Sequence, residues 1–366
     1  MTVGIVGAGQ LGRMLALSGY PLGLNFLFLD PAKEAPAGQV APQLCGEFTD
    51  ATLLALLANE TDVLTFDWEN ISVDALRQLP KGTHISPPVK ALAAAQDRVK
   101  EKELFERLRI PTTRWAAVDS HAQLVSAARS IGLPGVLKTR RLGYDGKGQF
   151  VLRRESDIQT AWDALGSAPL LYEERVPFDY EVSIIGARST RGEIAVYPLN
   201  GNVHAGGILR LTRAPYGSPA LQRQAARYLR RALDHFRYSG ILTIEFFVRR
   251  GRLIANEMAP RVHNSGHWTI EGAETSQFEN HLRAILGLPL GATGARGHCA
   301  MLNLIGTMPA RKGLLAEAGL HVHDYGKSPR PGRKLGHLTL VERSAPVRDR
   351  RARRLLARLA PDLSIP

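Results

Sequence analysis

The sequence predicts an α/β (α+β) protein of more than one domain, beginning with a Rossmann-like unit. Three observations carry this. The opening VGIVGAGQLGRML runs from an apolar strand through Gly7, Gly9 and Gly12 into a helix. Beyond Pro87-Pro88 the pattern changes to helix and then to paired strands rich in β-branched and aromatic residues. With 366 residues, 44% of them hydrophobic, the chain can bury a full core and has the length of two or three domains.

In the first unit a second strand, Asn25–Leu29, ends at Asp30, about where a dinucleotide-binding fold places its ribose-binding acid. An NAD(P) oxidoreductase is therefore one open reading. The glycines allow an anion close to a helix N-terminus without specifying which anion. A third strand, Asp62–Phe66, ends at Asp67 and Glu69. Ligands of open α/β sheets collect at the carboxyl ends of strands, which brings Gln10, Leu11 and Glu69 to the border of one pocket.

Next come a helix over Val89–Gln96, a cap at Asp97 and a helix over RVKEKELFERL that Ile110-Pro111 ends. Strand Val136–Thr139 carries Lys138, which needs a buried anion or an exposed edge. The loop Arg140–Gln149 holds Gly143, Gly146 and Gly148 around Tyr144, Asp145 and Lys147, and returns through Phe150–Arg153. Such a loop either folds over phosphates or is a plain surface loop. The apolar strand Leu170–Tyr172 ends in Glu173-Glu174-Arg175-Val176, with Glu181 five residues on. That pattern fits a hinge along a purine edge with an acid for ribose hydroxyls, and it also fits a strand end with solvated charges.

Tyr180–Gly186, Glu193–Leu199 and Val203–Leu211 read as strands of a second sheet, with His204 facing a ligand or serving the structure. An arginine-rich helix, Pro219–Phe236, precedes a hairpin of Ile241–Val248 and Arg252–Glu257 around Arg249-Arg250-Gly251, and Thr275–Leu286 is a further helix. Each hairpin strand holds one acid, Glu245 and Glu257. A buried unpaired carboxylate is strongly unfavourable, so the two face solvent or share a cation, and Asn256 adds a neutral oxygen. Oxygen ligands of this kind suit Mg²⁺ carrying nucleotide phosphates.

The net charge of +13 raises the possibility of nucleic acid, but the arginines are dispersed and no aromatic-rich RNA-binding signature accompanies them. The tail Arg348–Leu359, with Leu355, Leu356 and Leu359 at helical spacing, reads as a surface helix with a solvated basic face. Cys45 and Cys299 lack metal-ligand spacing and read as buried free thiols. No apolar run approaches the roughly eighteen residues of a membrane span, and no leader pattern opens the chain. A cytoplasmic protein without nucleic-acid or membrane partners is expected.

Lys138, GYDGKGQ (Gly143–Gln149), EERV (Glu173–Val176), Glu181 and the Glu245…Asn256-Glu257 pair followed by APRVHNSGHWT occur in an order that resembles the ATP-grasp superfamily. Within it, the GQLGRM start, TFDWEN at Thr65–Asn70 and RPGRKLGHL at Arg330–Leu338 are similar to the N5-carboxyaminoimidazole ribonucleotide synthetases of purine biosynthesis. The resemblance covers nearly the whole chain. It implies an ATP-grasp fold with a pre-ATP-grasp domain over 1–97, a small lid domain over 98–176 and a larger ATP-grasp and C-terminal part over 177–366, with ATP between the last two. The implied reaction is ATP-dependent carboxylation of 5-aminoimidazole ribonucleotide by bicarbonate. A related ligase acting on glycinamide ribonucleotide shares the architecture and stays open.

Carried over residue by residue, Arg98 and Lys138 would meet ATP phosphates under the closing loop of Gly143, Tyr144, Asp145, Gly146, Lys147, Gly148 and Gln149. Glu173, Glu174, Arg175 and Val176 would line the adenine pocket, Glu181 the ribose, with His204 a further ATP contact. Glu245 and Glu257 would hold Mg²⁺, with Asn256 beside them. Asp145, Lys327 and Arg333 would surround the ribonucleotide, a set that analogy extends to Gln10, Leu11, Glu69 and Lys334. Asp145, Lys147 and His267 are the catalytic expectations, with Asp145 or His267 taking the amine proton. A homodimer is implied. One departure stands out: Asp67 and Trp68 occupy positions where Glu and Phe are expected.

Overall fold

The computed structural model describes residues 1–143 and 146–360. Among these, three sheets organise the chain. The first is parallel, in the order β3-β2-β1-β4, from β1 (Thr2–Val6), β2 (Asn25–Asp30), β3 (Gln43–Cys45) and β4 (Val63–Phe66). Parallel strands covered on both faces read as continuous apolar runs, and Val3, Ile5, Phe28, Leu29 and Phe66 are all buried. Cys45, at the end of edge strand β3, is exposed, so the expectation of two buried thiols holds only for Cys299. A cysteine ending an edge strand has no second layer to cover it.

The second sheet is antiparallel, β5-β8-β6-β7, from β5 (Trp115–Val118), β6 (Gly135–Thr139), β7 (Gln149–Leu152) and β8 (Leu170–Glu174). Helices His121–Ile131 and Asp157–Leu165 cover it, closing a small core of Ala127, Ile131, Ile158 and Ala161 on Leu137, Leu152 and Tyr172. Strand β8 continues through Glu173 and Glu174, where the sequence pattern suggests a stop at Tyr172.

The third sheet runs β14-β13-β9-β11-β12-β15-β17-β16, with β10 added to β9. Its strands are β9 (Tyr180–Arg188), β10 (Ile194–Val196), β11 (Asn200–Ala205), β12 (Ile208–Ala214), β13 (Gly240–Arg249), β14 (Arg252–Ala259), β15 (His298–Ile305), β16 (Leu320–Asp324) and β17 (Lys334–Glu342). The stretch Val203–Leu211, expected as one strand, is a hairpin broken at Gly206-Gly207. Both glycines have positive φ, which two tandem glycines supply without strain.

Helix Pro219–Phe236 shows how sequence dictates packing. Ser218 caps it by accepting the Leu221 N–H, and Pro219 occupies a first-turn position where its missing donor is harmless. Leu221, Ala225, Tyr228, Leu229, Ala232, Leu233 and Phe236 recur at helical spacing and are buried against β9, β13 and β14. Arg237, at φ 47°, ends the helix in the left-handed region.

The C-terminal helix Ala345–Leu359 packs on β15 and β17 through Ala352, Leu355 and Leu356. Its basic face is not wholly solvated. Arg348 is 3% exposed, donates to the Pro215 carbonyl at 3.2 Å and pairs with Asp349. Among the described residues no helix is long and apolar enough to cross a membrane.

Candidate active site

A cavity of about 1550 Å³ runs between the three sheets, and each contributes wall residues. At one end lies the second sheet. Asp97 caps helix Arg98–Arg107 by accepting the Val99 N–H at 3.0 Å, and its carboxylate is also held by Arg140 at 2.9 and 3.1 Å. This fixes Arg98 at the first helical position, from which it reaches Glu257 Oε2 at 3.2 Å. Lys138 on β6 enters the same space, as do Gly143, Gly146, Lys147 and Gln149. Gly148 has φ +68°, and an added Cβ would lie 2.6 Å from Thr139 Oγ1, so this turn needs glycine twice over. Tyr144 and Asp145 lie outside the described residues.

Glu173, at the end of β8, lines the cavity. Its carboxylate is buried and engaged by Lys138, by Lys102 at 3.0 Å and by the Thr113 hydroxyl at 2.7 Å. Burial alone would raise its pKa, but the two lysines outweigh it and hold the group far below the usual carboxylate range. Its carboxylate is thus held by three partners from within the protein. Glu174, which pairs with Arg114 at 2.9 Å, lines the cavity together with Arg175 and Val176. Across from them Phe178 and Phe247 stack at 4.8 Å, an apolar wall of the size a planar base requires. The sequence signal for that wall was one aromatic beyond EERV and one on the first hairpin strand.

Glu181 accepts from His204 Nδ1 at 2.8 Å. Burial lowers the His204 pKa, but the Glu181 hydrogen bond and the nearby Glu245 outweigh this and raise it to about 9. His204 therefore stands as a cation beside the hairpin carboxylates.

Glu245 and Glu257 project into the centre of the cavity. Burial, reinforced by Glu257 and Glu181, pushes Glu245 up to about 7, although His204 pulls the other way. Burial would also raise Glu257, but Arg98 and Lys138 reverse this and hold it below its ordinary value. Asn256 Oδ1 is buried and has no hydrogen-bond partner. Among the described residues no cluster of three or more His, Cys, Asp or Glu side chains has metal-binding geometry. Two carboxylates and an unpartnered amide oxygen are nevertheless a donor set that fits Mg²⁺, which draws its remaining oxygens from phosphates and water.

The other end of the cavity is built by the first sheet and the turn before β17. Here the glycine-rich opening is explained. The Asp67 carboxylate sits within it, accepting the Gly12 N–H at 3.2 Å, and a Cβ on Gly7 or Gly9 would lie 1.8 or 2.9 Å from its oxygens. The anion at this helix N-terminus is the chain's own side chain. Asp30 is likewise occupied, accepting the Ala8 and Ala32 N–H groups at 2.8 Å each. A dinucleotide pyrophosphate has no place at this turn.

Gln10, Leu11, Glu69, Lys327, Arg333 and Lys334 all line this end. Gln10 accepts from Lys327, and Arg333 is steadied by Ser328 at 3.0 Å. Glu69 is paired with Arg261. Arg261, His263 and Asn264, from the stretch after β14, line the cavity between the hairpin acids and this basic end, although the sequence reading gave them no role. Partners such as Glu69 for Arg261 come from distant parts of the chain, and no local signal marked these residues. Burial, together with Arg261 and Lys334, keeps His263 neutral. His267, in contrast, is not brought to the cavity. It is 1% exposed and packed on Phe278 and His337, with burial pushing its pKa well down.

Residues 103–278 match the ATP-grasp domain, 1–96 the ribonucleotide synthetase preATP-grasp domain and 299–351 the phosphoribosylaminoimidazole carboxylase C-terminal domain. The N5-carboxyaminoimidazole ribonucleotide synthase of Pseudomonas aeruginosa is 51% identical over 93% of this chain and 94% of that protein. The chain belongs to the N5-carboxyaminoimidazole ribonucleotide synthase family. The crystal structure of the synthetase from Thermus thermophilus is similar at 50% identity and a TM-score of 0.95, each chain covered in full. The Aspergillus clavatus synthase in complex with ADP and 5-aminoimidazole ribonucleotide is 30% identical with a TM-score of 0.90, and 98% of each chain is covered. As a synthase of this family the chain is an ATP-binding ligase of the ATP-grasp fold, with the pre-ATP-grasp and C-terminal domains that the motifs imply.

Proposed function

We propose that this chain carboxylates 5-aminoimidazole ribonucleotide with bicarbonate at the expense of ATP, giving N5-carboxyaminoimidazole ribonucleotide, ADP and phosphate in purine biosynthesis. The observation that carries this reading is that one cavity is lined by the two hairpin glutamates, by the stacked Phe178 and Phe247 and by the basic residues Lys327, Arg333 and Lys334. In this reading the domains divide at 1–97, 98–176 and 177–366, which is supported by one sheet falling within each span.

Bicarbonate is a poor carboxyl donor because hydroxide is a poor leaving group. Transfer of the γ-phosphoryl to a bicarbonate oxygen gives carboxyphosphate, from which phosphate leaves as the amine bonds to carbon. Such a transfer needs position and charge more than covalent catalysis. Arg98, Lys138 and Lys147 hold the phosphates, Arg175 and Val176 border adenine with Phe178 and Phe247, and Glu181 and His204 meet the ribose. Glu245, Glu257 and Asn256 would hold Mg²⁺, which neutralises charge on the phosphate oxygens when bound. Arg261, beside the neutral His263 and Asn264, suits a small planar anion, and we place bicarbonate there. Lys327, Arg333 and Lys334 hold the ribonucleotide phosphate against Gln10, Leu11 and Glu69. The proton acceptor in this reading is Asp145, since His267 is walled off. Closing the Gly143–Gln149 loop keeps water from carboxyphosphate. The assembly is a cytoplasmic homodimer, by analogy with the family.

The test is phosphate release with ATP, measured with and without 5-aminoimidazole ribonucleotide and bicarbonate. Release that requires both supports the reading. Release with glycinamide ribonucleotide and formate instead would replace it.

A further inference from the structure

Lys102 is an unassigned residue that the active site leans on. It lies one turn along the helix that begins with Arg98, is 2% exposed, and does not line the cavity. Its ammonium makes three contacts: Glu173 Oε2 at 3.0 Å, Thr112 Oγ1 at 3.0 Å and the Asn256 carbonyl at 3.2 Å. Those are the three donors an ammonium owns. The contacts lie on different pieces of the site. Glu173 is on β8 of the lid sheet, Asn256 is on the hairpin that carries Glu257, and Thr112 lies on the seam where residues 112 and 255 form an isolated parallel bridge. The seam is tightened by Ala255 N–H donating to the Pro111 carbonyl at 2.7 Å and by the Thr112 hydroxyl donating to the Ala255 carbonyl at 2.9 Å.

The charge count is the decisive point. Glu173 also binds Lys138, whose ammonium faces the cavity. If Glu173 and Lys138 stood alone, the pair would be neutral, and a phosphate would meet a cation already cancelled at short range. With Lys102 behind it, the cluster holds two lysines and one carboxylate, and so carries one net positive charge. A buried carboxylate between two ammonium groups shares its charge between them. Glu101, the neighbouring acid, does not complete the neutralisation. Its carboxylate is turned away to accept the Met258 N–H at 2.6 Å, and among the described residues it forms no ion pair with Lys102 or Lys138.

We propose that Lys102 is a positioning residue for nucleotide binding: it draws on the Glu173 carboxylate so that Lys138 keeps its charge for the ATP phosphates, and it ties the lid sheet to the Glu257 hairpin. This rests on the assignment of Lys138 to those phosphates, which Lys138→Met tests separately. If that variant binds ADP as wild type does, the phosphate assignment falls and the role of Lys102 falls with it.

The experiment is ADP binding by calorimetry on the whole protein, alongside the KM values for ATP and 5-aminoimidazole ribonucleotide. Lys102→Met preserves the length of the side chain and removes its charge. Loss of about one charge-assisted bond's worth of attraction at Lys138 corresponds to ADP affinity weakened by about tenfold. The KM for ATP rises with it and the ribonucleotide KM stays within about twofold. Lys102→Arg keeps the charge and restores most of the affinity. The discriminating variant is Lys102→Met with Glu173→Gln, which again leaves one positive charge, now on Lys138 alone. ADP affinity recovers in the double variant, whereas a purely structural role for Lys102 leaves the double variant no better than Lys102→Met alone. If Lys102→Met does not fold, Glu173→Gln alone decides, because it leaves Lys138 uncancelled and ADP binding no weaker than wild type. Wild-type affinity in folded Lys102→Met, a double variant no better than Lys102→Met, or weakened binding in Glu173→Gln would each overturn the proposal.

Discussion

Glu245 stands directly opposite Glu257 across the β13–β14 hairpin, and the register slips immediately after it, so that Phe246 pairs with Ala255. Asn256 is the extra residue of this bulge. A bulge leaves one residue outside the ladder and re-aims the side chains around it, and here Glu245, Asn256 and Glu257 all line the cavity. Glu257→Gln is expected to lower turnover by two orders of magnitude or more, a typical cost of losing a metal-binding charge at a phosphoryl-transfer site. The melting temperature should stay near wild type. Steady-state phosphate release as a function of Mg²⁺ concentration checks this, and unchanged turnover would remove Glu257 from the metal site.

Asp67 yields a prediction about pH. Its burial raises the pKa from 3.8 to about 6, against the partial relief of the Gly12 N–H. The folded protein therefore holds this proton more tightly than the unfolded chain does, and the contribution of Asp67 to stability declines as pH rises from about 4 through 6. Asp67→Asn still accepts the Gly12 N–H and has no charge to lose. Thermal melts between pH 4.5 and 7.5 should show the variant gaining on wild type as pH rises. Parallel curves would contradict the shift.

Lys327 makes the opposite prediction at the substrate end. Burial, assisted by Arg333, lowers its pKa to about 8. Its charge is lost as pH rises through that value, so the KM for 5-aminoimidazole ribonucleotide should climb above about pH 8 while the KM for ATP does not. Lys327→Met should raise the ribonucleotide KM by about tenfold at neutral pH, the worth of one charged hydrogen bond, and abolish the alkaline climb. Initial rates across pH 6.5 to 9.5 test both.

Leu229 supplies the structural contrast. It is fully buried in helix Pro219–Phe236, away from the cavity, and a Cβ on Gly186 of β9 would lie 2.7 Å from its side chain. Leu229→Ala should cost about 2–5 kcal/mol of stability by leaving a cavity in that packing. Chemical denaturation should show the loss, with KM values unchanged in the folded fraction.

What the sequence revealed follows from what is local in it. Helix Pro219–Phe236 was legible because its cap, proline and apolar stripe all act within the helix. The two hairpin acids were legible because carboxylates in apolar strands demand partners. The Gly206-Gly207 break was hidden because apolar residues on both sides read as one run. The partners of the Glu173 carboxylate were hidden for another reason. Its partner Lys102 is 71 residues earlier in number, and nothing in the letters EERV says that a lysine from another element meets the first of them. The glycine turn misled in the same way, since its occupant, Asp67, arrives from the end of a different strand. Partners distant in sequence determine what a charged residue is free to do.

The tip of the β11–β12 hairpin meets the glycine turn that leads into β7, and the contact is glycine against glycine. A Cβ on Gly146 would fall 3.0 Å from the Gly206 carbonyl oxygen and 3.2 Å from the Gly207 Cα. No side chain from these three positions interlocks across the seam. Where these three residues meet, the two turns come together backbone to backbone, and their approach orders no rotamer.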